Sequence, residues 1–141
     1  MAIFNSLGSN YNFDYILRSL VSSGTTESLK TLEKFLTQKY GGTTMLYYKG
    51  REALTAALQT ANLSKDSQIA INGFTCVAVF NAIRTAGFEP VCLDLEKNSN
   101  LNFNPETLEK ALNSNKKVKA VVVQNTFGYP CDIEKIERIC N

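Results

Sequence analysis

Three short segments of this sequence carry residue types that bind small molecules. The first is Lys49-Gly50-Arg51-Glu52-Ala53-Leu54. Free backbone N–H groups at a helix start, beside a glycine that lets a ligand approach, make an anion seat. Lys49 and Arg51 add positive charge to it. Read locally, an ordinary strand-to-helix turn with two solvated cations is the plainer account. The segment has too few glycines for the G-x-G-x-x-G dinucleotide fingerprint, and it lacks the G-K-S/T of a P-loop. The second segment, Asn72-Gly73-Phe74-Thr75-Cys76, puts an aromatic ring and a thiol at a helix start. The third, Gln124-Asn125-Thr126-Phe127-Gly128-Tyr129-Pro130, is a polar loop whose amides can reach a bound ring or carbonyl. Taken alone it reads as a plain turn.

Composition removes several other chemistries. The 141 residues include no His. The Ser-His and Cys-His dyads and the usual zinc triads therefore have no candidate, and Cys76 has no histidine partner to make it a nucleophile. The four cysteines, Cys76, Cys92, Cys131 and Cys140, form no C-x-x-C pair, and no metal site is expected. Cys92 on an apolar strand and Cys140 on a helix read as buried free thiols. The net charge is +2, with scattered cations. The densest basic cluster, Lys116-Lys117-Val118-Lys119, is shorter than the broad patch of a nucleic-acid binder. The start has no basic region followed by an apolar one, and no run reaches the ~18 apolar residues of a membrane span. A cytoplasmic protein acting on neither nucleic acid nor membrane is expected.

The surrounding pattern says what positions the three segments. Apolar residues at helical spacing predict helices over 13–22 and 27–40, the second closed by Gly41-Gly42. From Thr43 onward strands and helices alternate. Strands are expected at 44–48, 68–71, 90–95 and 118–124, and helices at 51–61, 76–86 and 105–113. A last helix opens after Pro130-Cys131-Asp132. Asn104-Pro105-Glu106 reads as a cap, a first-turn proline and an acidic first turn. Repeated strand–helix units predict an α/β fold with a parallel sheet covered by helices on both faces. Ligands bind such sheets at the C-terminal ends of the strands. Gly50, Gly73 and Gly128 are all expected there, each just after a strand. The chain thus divides into an arm with two helices (1–42) and four strand–helix units (43–141).

In order and spacing these segments resemble the DegT family of nucleotide-sugar aminotransferases, fold type I of the aspartate-aminotransferase superfamily. The resemblance runs from about Leu7 to Asn141. Besides the three segments it takes in Val77, Ala82-Ile83, Gly87-Phe88-Glu89-Pro90-Val91, Leu93-Asp94 and Asp132-Ile133. It implies the front of a three-layer α/β/α large domain, a pyridoxal 5′-phosphate cofactor, a homodimer, and amino transfer from a donor such as glutamate to a nucleotide-linked keto-sugar.

By the same resemblance Gly50 and Arg51 hold the cofactor phosphate, and Cys76 falls where the family stacks a residue on the ring. Phe74 stands two positions before it. A thiol covers a ring less well than an aromatic. Asn125 stands where relatives often have His and is a candidate substrate contact. The family's pyridine-binding Asp and Schiff-base Lys fall after Asn141, so no catalytic residue is assigned, and the 141 residues by themselves are expected to be inactive. A truncated, non-catalytic relative serving as a binding or dimerisation module is the alternative. The resemblance also leaves the strand at 44–48 without a neighbour, and gives 118–124 an open apolar edge unless the two pair.

Overall fold

The structure, a computed structural model, describes residues 12–22, 24–95, 101 and 104–141. The chain divides into two compact units at Leu46/Tyr47.

The first unit holds α1 (Phe13–Val21) and α2 (Thr26–Tyr40). Each starts on a side-chain cap. Asn12 Oδ1 accepts the Tyr15 N–H at 2.8 Å, and Thr25 Oγ1 accepts that of Ser28 at 3.2 Å. These caps satisfy amides that the first helical turn leaves free. α2 ends at Gly41 and Gly42, both at positive φ (77° and 73°), where a residue with a Cβ is strained. Neither helix buries a residue: Val21, Leu29 and Phe35 all stay exposed.

The second unit contains α3 (Gly50–Thr60), β1 (Gln68–Asn72), α4 (Val77–Thr85), β2 (Glu89–Leu93), α5 (Pro105–Ser114), β3 (Val118–Val122), a 3₁₀ turn (Thr126–Gly128) and α6 (Ile133–Cys140). The strands form a parallel sheet in the order β2-β1-β3. β1 is central, hence buried on both faces, and apolar from Ile69 to Ile71. Ile69 and Ile71 point into a cluster with Leu54, Leu58 and Ile83 of α3 and α4. Ala70 points the other way, into a cluster with Leu108 of α5 and Ile136 of α6. The sheet is therefore the middle of three layers. In β3 the register slips: Gln68 pairs with Val118, but Ile69 pairs with Ala120. That extra residue is a bulge, and it explains how Val118 and Val121 share one cluster despite their odd spacing.

Three sequence expectations need correction. Residues 44–48 form no strand; a segment becomes a strand only with a ladder partner, and among the described residues β3 pairs with β1 alone. Gly50 consequently follows an unpaired segment rather than a strand end. Cys92 and Cys140 are exposed, not buried, and Cys131 is the buried thiol. Cys92 lies on edge strand β2, on the rung of Ile71, at the sheet's margin. Cys140 ends the last helix. Among the described residues no helix is long and apolar enough to cross a membrane, and no group of three or more His, Cys, Asp or Glu is placed to hold a metal ion.

Candidate functional site

From β1 the chain passes to α4 on one face of the sheet, while from β3 it passes to α6 on the opposite face. Adjacent strands whose connections leave to opposite sides must open a crevice between them at their C-terminal ends, the usual ligand position in open α/β sheets. A cleft of about 660 Å³ lies there. Phe74, Thr75 and Cys76 line one wall, and Gln124, Asn125, Thr126 and Phe127 line the other.

Each wall is built by short-range polar ties. On the β1 side, Asn72 Oδ1 accepts the Phe74 N–H at 2.8 Å. This is an Asx turn, in which the carboxamide imitates a backbone carbonyl. The Gly73 N–H donates to the Leu93 carbonyl at 2.8 Å. A Cβ on Gly73 would stand 3.0 Å from that same oxygen, tight enough that the backbones would have to separate by a few tenths of an ångström. Cys76 caps α4, its thiol accepting the Ala78 N–H in a long 3.5 Å contact.

On the β3 side, Asn125 Oδ1 accepts the Cys131 N–H at 3.0 Å, and the Cys131 thiol donates to the Gln124 carbonyl at 3.2 Å. Between them Phe127 sits in the left-handed region (φ 53°), and its ring is 79% exposed. That backbone costs a residue with a Cβ free energy, and here the 3₁₀ turn holds it. The walls meet in two places. The Thr75 hydroxyl donates to the Gln124 side-chain carbonyl. The Phe74 and Phe127 rings lie 6.4 Å apart, tilted by 55°.

At the start of α3, Lys49 is the N-cap but provides no side-chain hydrogen bond. Its carbonyl accepts the Glu52 and Ala53 N–H groups at 3.0 and 3.2 Å. The Gly50 and Arg51 N–H groups donate to nothing among the described residues. A Cβ on Gly50 would meet no atom within 4 Å, so the glycine faces open space. The Lys49 ammonium lies 4.0 Å from Glu52 and 5.6 Å from the Tyr48 ring centre. The ion pair is half exposed and contributes little.

The cleft thus gathers Phe74 and Cys76 from one segment and Asn125 from another. Gly50 and Arg51 do not line it; Arg51 borders a separate hollow of about 250 Å³ between α3 and α4. Sequence reasoning passed over Asn72, Phe127 and the Thr75–Gln124 tie. The Asn-Gly pair after an apolar run was the available signal for Asn72. The tie joins residues 49 positions apart, and nothing local marks it. The basic stretch at 116–119 lies at the opposite end of β3. There Asp66 has its carboxyl held below the usual range by the Ser64 hydroxyl and its own backbone, with lesser help from Lys117 and Lys119.

The sequence pattern of the DegT/DnrJ/EryC1/StrS aminotransferase family matches residues 13–141. The GDP-perosamine synthase of Vibrio cholerae is 30% identical over 92 residues, 65% of this chain and 24% of that protein. Among solved structures, Helicobacter pylori PseC, an aminotransferase involved in the biosynthesis of pseudoaminic acid, superposes with a TM-score of 0.74 at 23% identity. That superposition covers 89% of this chain and 34% of PseC. The sugar aminotransferase Spr1654 of Streptococcus pneumoniae, in its PLP form, gives a TM-score of 0.74 at 20% identity over 88% of this chain and 32% of its own. The chain therefore spans about a quarter of the curated relative and about a third of the solved proteins.

Proposed function

This chain belongs to the DegT/DnrJ/EryC1/StrS aminotransferase family, and from that membership we propose that residues 43–141 are part of a pyridoxal-phosphate-binding domain. Residues 1–42 stand before it as an arm with two helices. The enzyme it serves transfers an amino group from a donor such as glutamate to a keto-sugar carried on a nucleotide, as a homodimer in the cytoplasm. When bound, pyridoxal phosphate supplies the electron sink that amino transfer requires.

The residues present fit that group. A phosphate dianion needs unclaimed N–H donors and room to approach. Gly50 and Arg51 offer two such amides, with open space over the glycine. Arg51 and Lys49 add charge. A flat ring needs an apolar wall, and Phe74 with Cys76 forms one. Because a thiol covers less of a ring than an aromatic side chain does, Phe74 carries the larger share. Asn125 uses its side-chain oxygen on Cys131, so toward a substrate it offers its NH₂ as a donor. The carrying observation is the cleft itself, opened where β1 and β3 leave the sheet in opposite directions. Among the described residues no lysine lines that cleft, and no catalytic residue is assigned among these 141.

Backbone-amide NMR of the chain tests this reading. Pyridoxal phosphate should shift Phe74, Cys76, Gly50 and Arg51, whereas inorganic phosphate should shift only the last two. Shifts concentrated at 116–119 with either ligand would refute it. Borohydride reduction of the mixture should leave no single lysine stoichiometrically labelled, and the chain by itself should show no transaminase turnover. A binding or dimerisation role is the second reading. It is favoured by α1 and α2, which bury no residue and leave most of their apolar side chains exposed, Leu36 being half-buried.

A further inference from the structure

Asn72 is the one polar side chain of the central strand β1 that is buried among apolar neighbours, at 1% exposure. Burying a carboxamide costs free energy unless its donors and acceptor are used. Here both ends are engaged. The oxygen takes the Phe74 N–H at 2.8 Å, and the nitrogen donates to the Leu101 carbonyl at 2.9 Å. One side chain therefore ties the turn after β1 to a second segment 29 residues later. Two further ties fix the same turn: the Gly73 N–H on the Leu93 carbonyl, and the Thr75 hydroxyl on Gln124. Of these three hydrogen bonds the one to Asn72 is made by Phe74 itself, whose ring otherwise meets Phe127 at 6.4 Å. Phe74 is itself 47% exposed, so packing does little to hold it.

We propose that Asn72 is a positioning residue: through the Phe74 N–H it sets where the aromatic wall of the cleft stands, and so how tightly the cleft takes a flat ring. It touches neither ring nor phosphate. This rests on the proposed ring site, and it predicts a split that a general loss of stability would not produce. Asn72→Leu keeps the branched outline of the side chain at a larger volume and removes both hydrogen bonds. Pyridoxal phosphate affinity should fall about tenfold, the order expected for one buried hydrogen bond, while inorganic phosphate affinity at Gly50 and Arg51 stays the same. Asn72→Asp keeps the oxygen that Phe74 needs and loses the donor to Leu101, so it should retain most of the ring affinity.

Hydrogen exchange on the 141-residue chain reads the device without any ligand. In the unsubstituted chain the Phe74 amide and the Asn72 carboxamide protons should exchange slowly. In Asn72→Leu the Phe74 amide should exchange at least about tenfold faster, with Ile69 and Ile71 unchanged. Fast exchange of the Phe74 amide in the unsubstituted chain overturns the proposal, whether or not the variants fold. So does an equal loss of phosphate and pyridoxal phosphate affinity in Asn72→Leu. If the unsubstituted chain binds pyridoxal phosphate with no shift at Phe74 or Cys76, the ring-site reading fails, while slow exchange of the Phe74 amide still upholds the tie.

Discussion

The two units of this chain have equally well-formed helices and very different interiors. α1 and α2 are amphipathic, capped by Asn12 and Thr25, and bury nothing. α3 to α6 are all shorter than α2, yet each buries at least one residue against the sheet. Helix formation is a local matter of spacing and caps. Burial needs a second surface, and within the Tyr47–Asn141 unit the sheet provides one on each face. The difference matters for the site. The cleft grows from the ends of β1 and β3, which the core holds.

The strongest way to break this comparison is truncation on each side of it. Ile71→Ala removes a wholly buried side chain and should destabilise the chain by about 2–5 kcal/mol. Leu29→Ala on α2 should change stability by no more than about 0.5 kcal/mol. Urea titration followed by circular dichroism measures both, and similar effects from the two would mean that the first unit has a core of its own.

Next in size is a pair of glycines. Gly73→Ala drives a methyl against the Leu93 carbonyl oxygen at 3.0 Å, a backbone atom with little room to yield. A cost of about 1–3 kcal/mol is expected, with shifted amide resonances at Phe74 and Thr75. Gly24→Ala, with nothing within 4 Å, should be neutral or stabilise by up to about 1 kcal/mol. A harmless Gly73→Ala would show that the two backbones are free to separate.

Caps give a smaller contrast. Asn104 Oδ1 accepts the Glu106 and Thr107 N–H groups at 2.9 and 3.3 Å. Asn104→Ala should lower the midpoint of the cooperative transition by the equivalent of about 1 kcal/mol of stability. Asn12→Ala should fray α1 and leave that transition where it is. If both move it equally, the two units unfold as one.

The smallest effect concerns the thiols. Partial burial pushes the Cys140 thiol above its ordinary value. At pH 8 it therefore holds less thiolate than a free cysteine, and alkylation should be slower than on a short unfolded peptide with the same flanking residues. The sign is fixed by the reacting form being the anion, so the gap should close as pH rises above the shifted value. Cys131, buried, should react only after unfolding. Mass spectrometry of timed iodoacetamide reactions resolves each site, and rapid labelling of Cys131 would contradict the core described for α5 and α6.

Much of this was legible before any coordinates. Asn104-Pro105-Glu106 and Asp132 announce α5 and α6 because caps act over three or four residues. Gly41-Gly42 ends α2 for the same reason. The apolar run of β1 marks a strand buried on both faces, and the order of the three polar segments led to the family. Strand 44–48 failed because local residue types describe a segment able to pair, while pairing depends on what lies alongside. The exposed Cys92 failed likewise: an apolar strand reads the same from sequence at an edge or at the centre.

What the sequence determined by itself was therefore the type and limits of most elements, the absence of histidine chemistry, and the segments able to hold a ligand. Only the tertiary structure decided that β1 stands between β2 and β3, that their exits to opposite faces open the cleft, and that Thr75 meets Gln124 there while Gly50 and Arg51 stay outside its lining. The physical reason is range. Caps, turns and periodicity are short-range couplings written into neighbouring residues, whereas strand order is settled by how the whole chain best buries its apolar surface, and residues 49 apart in sequence learn of each other only through that packing.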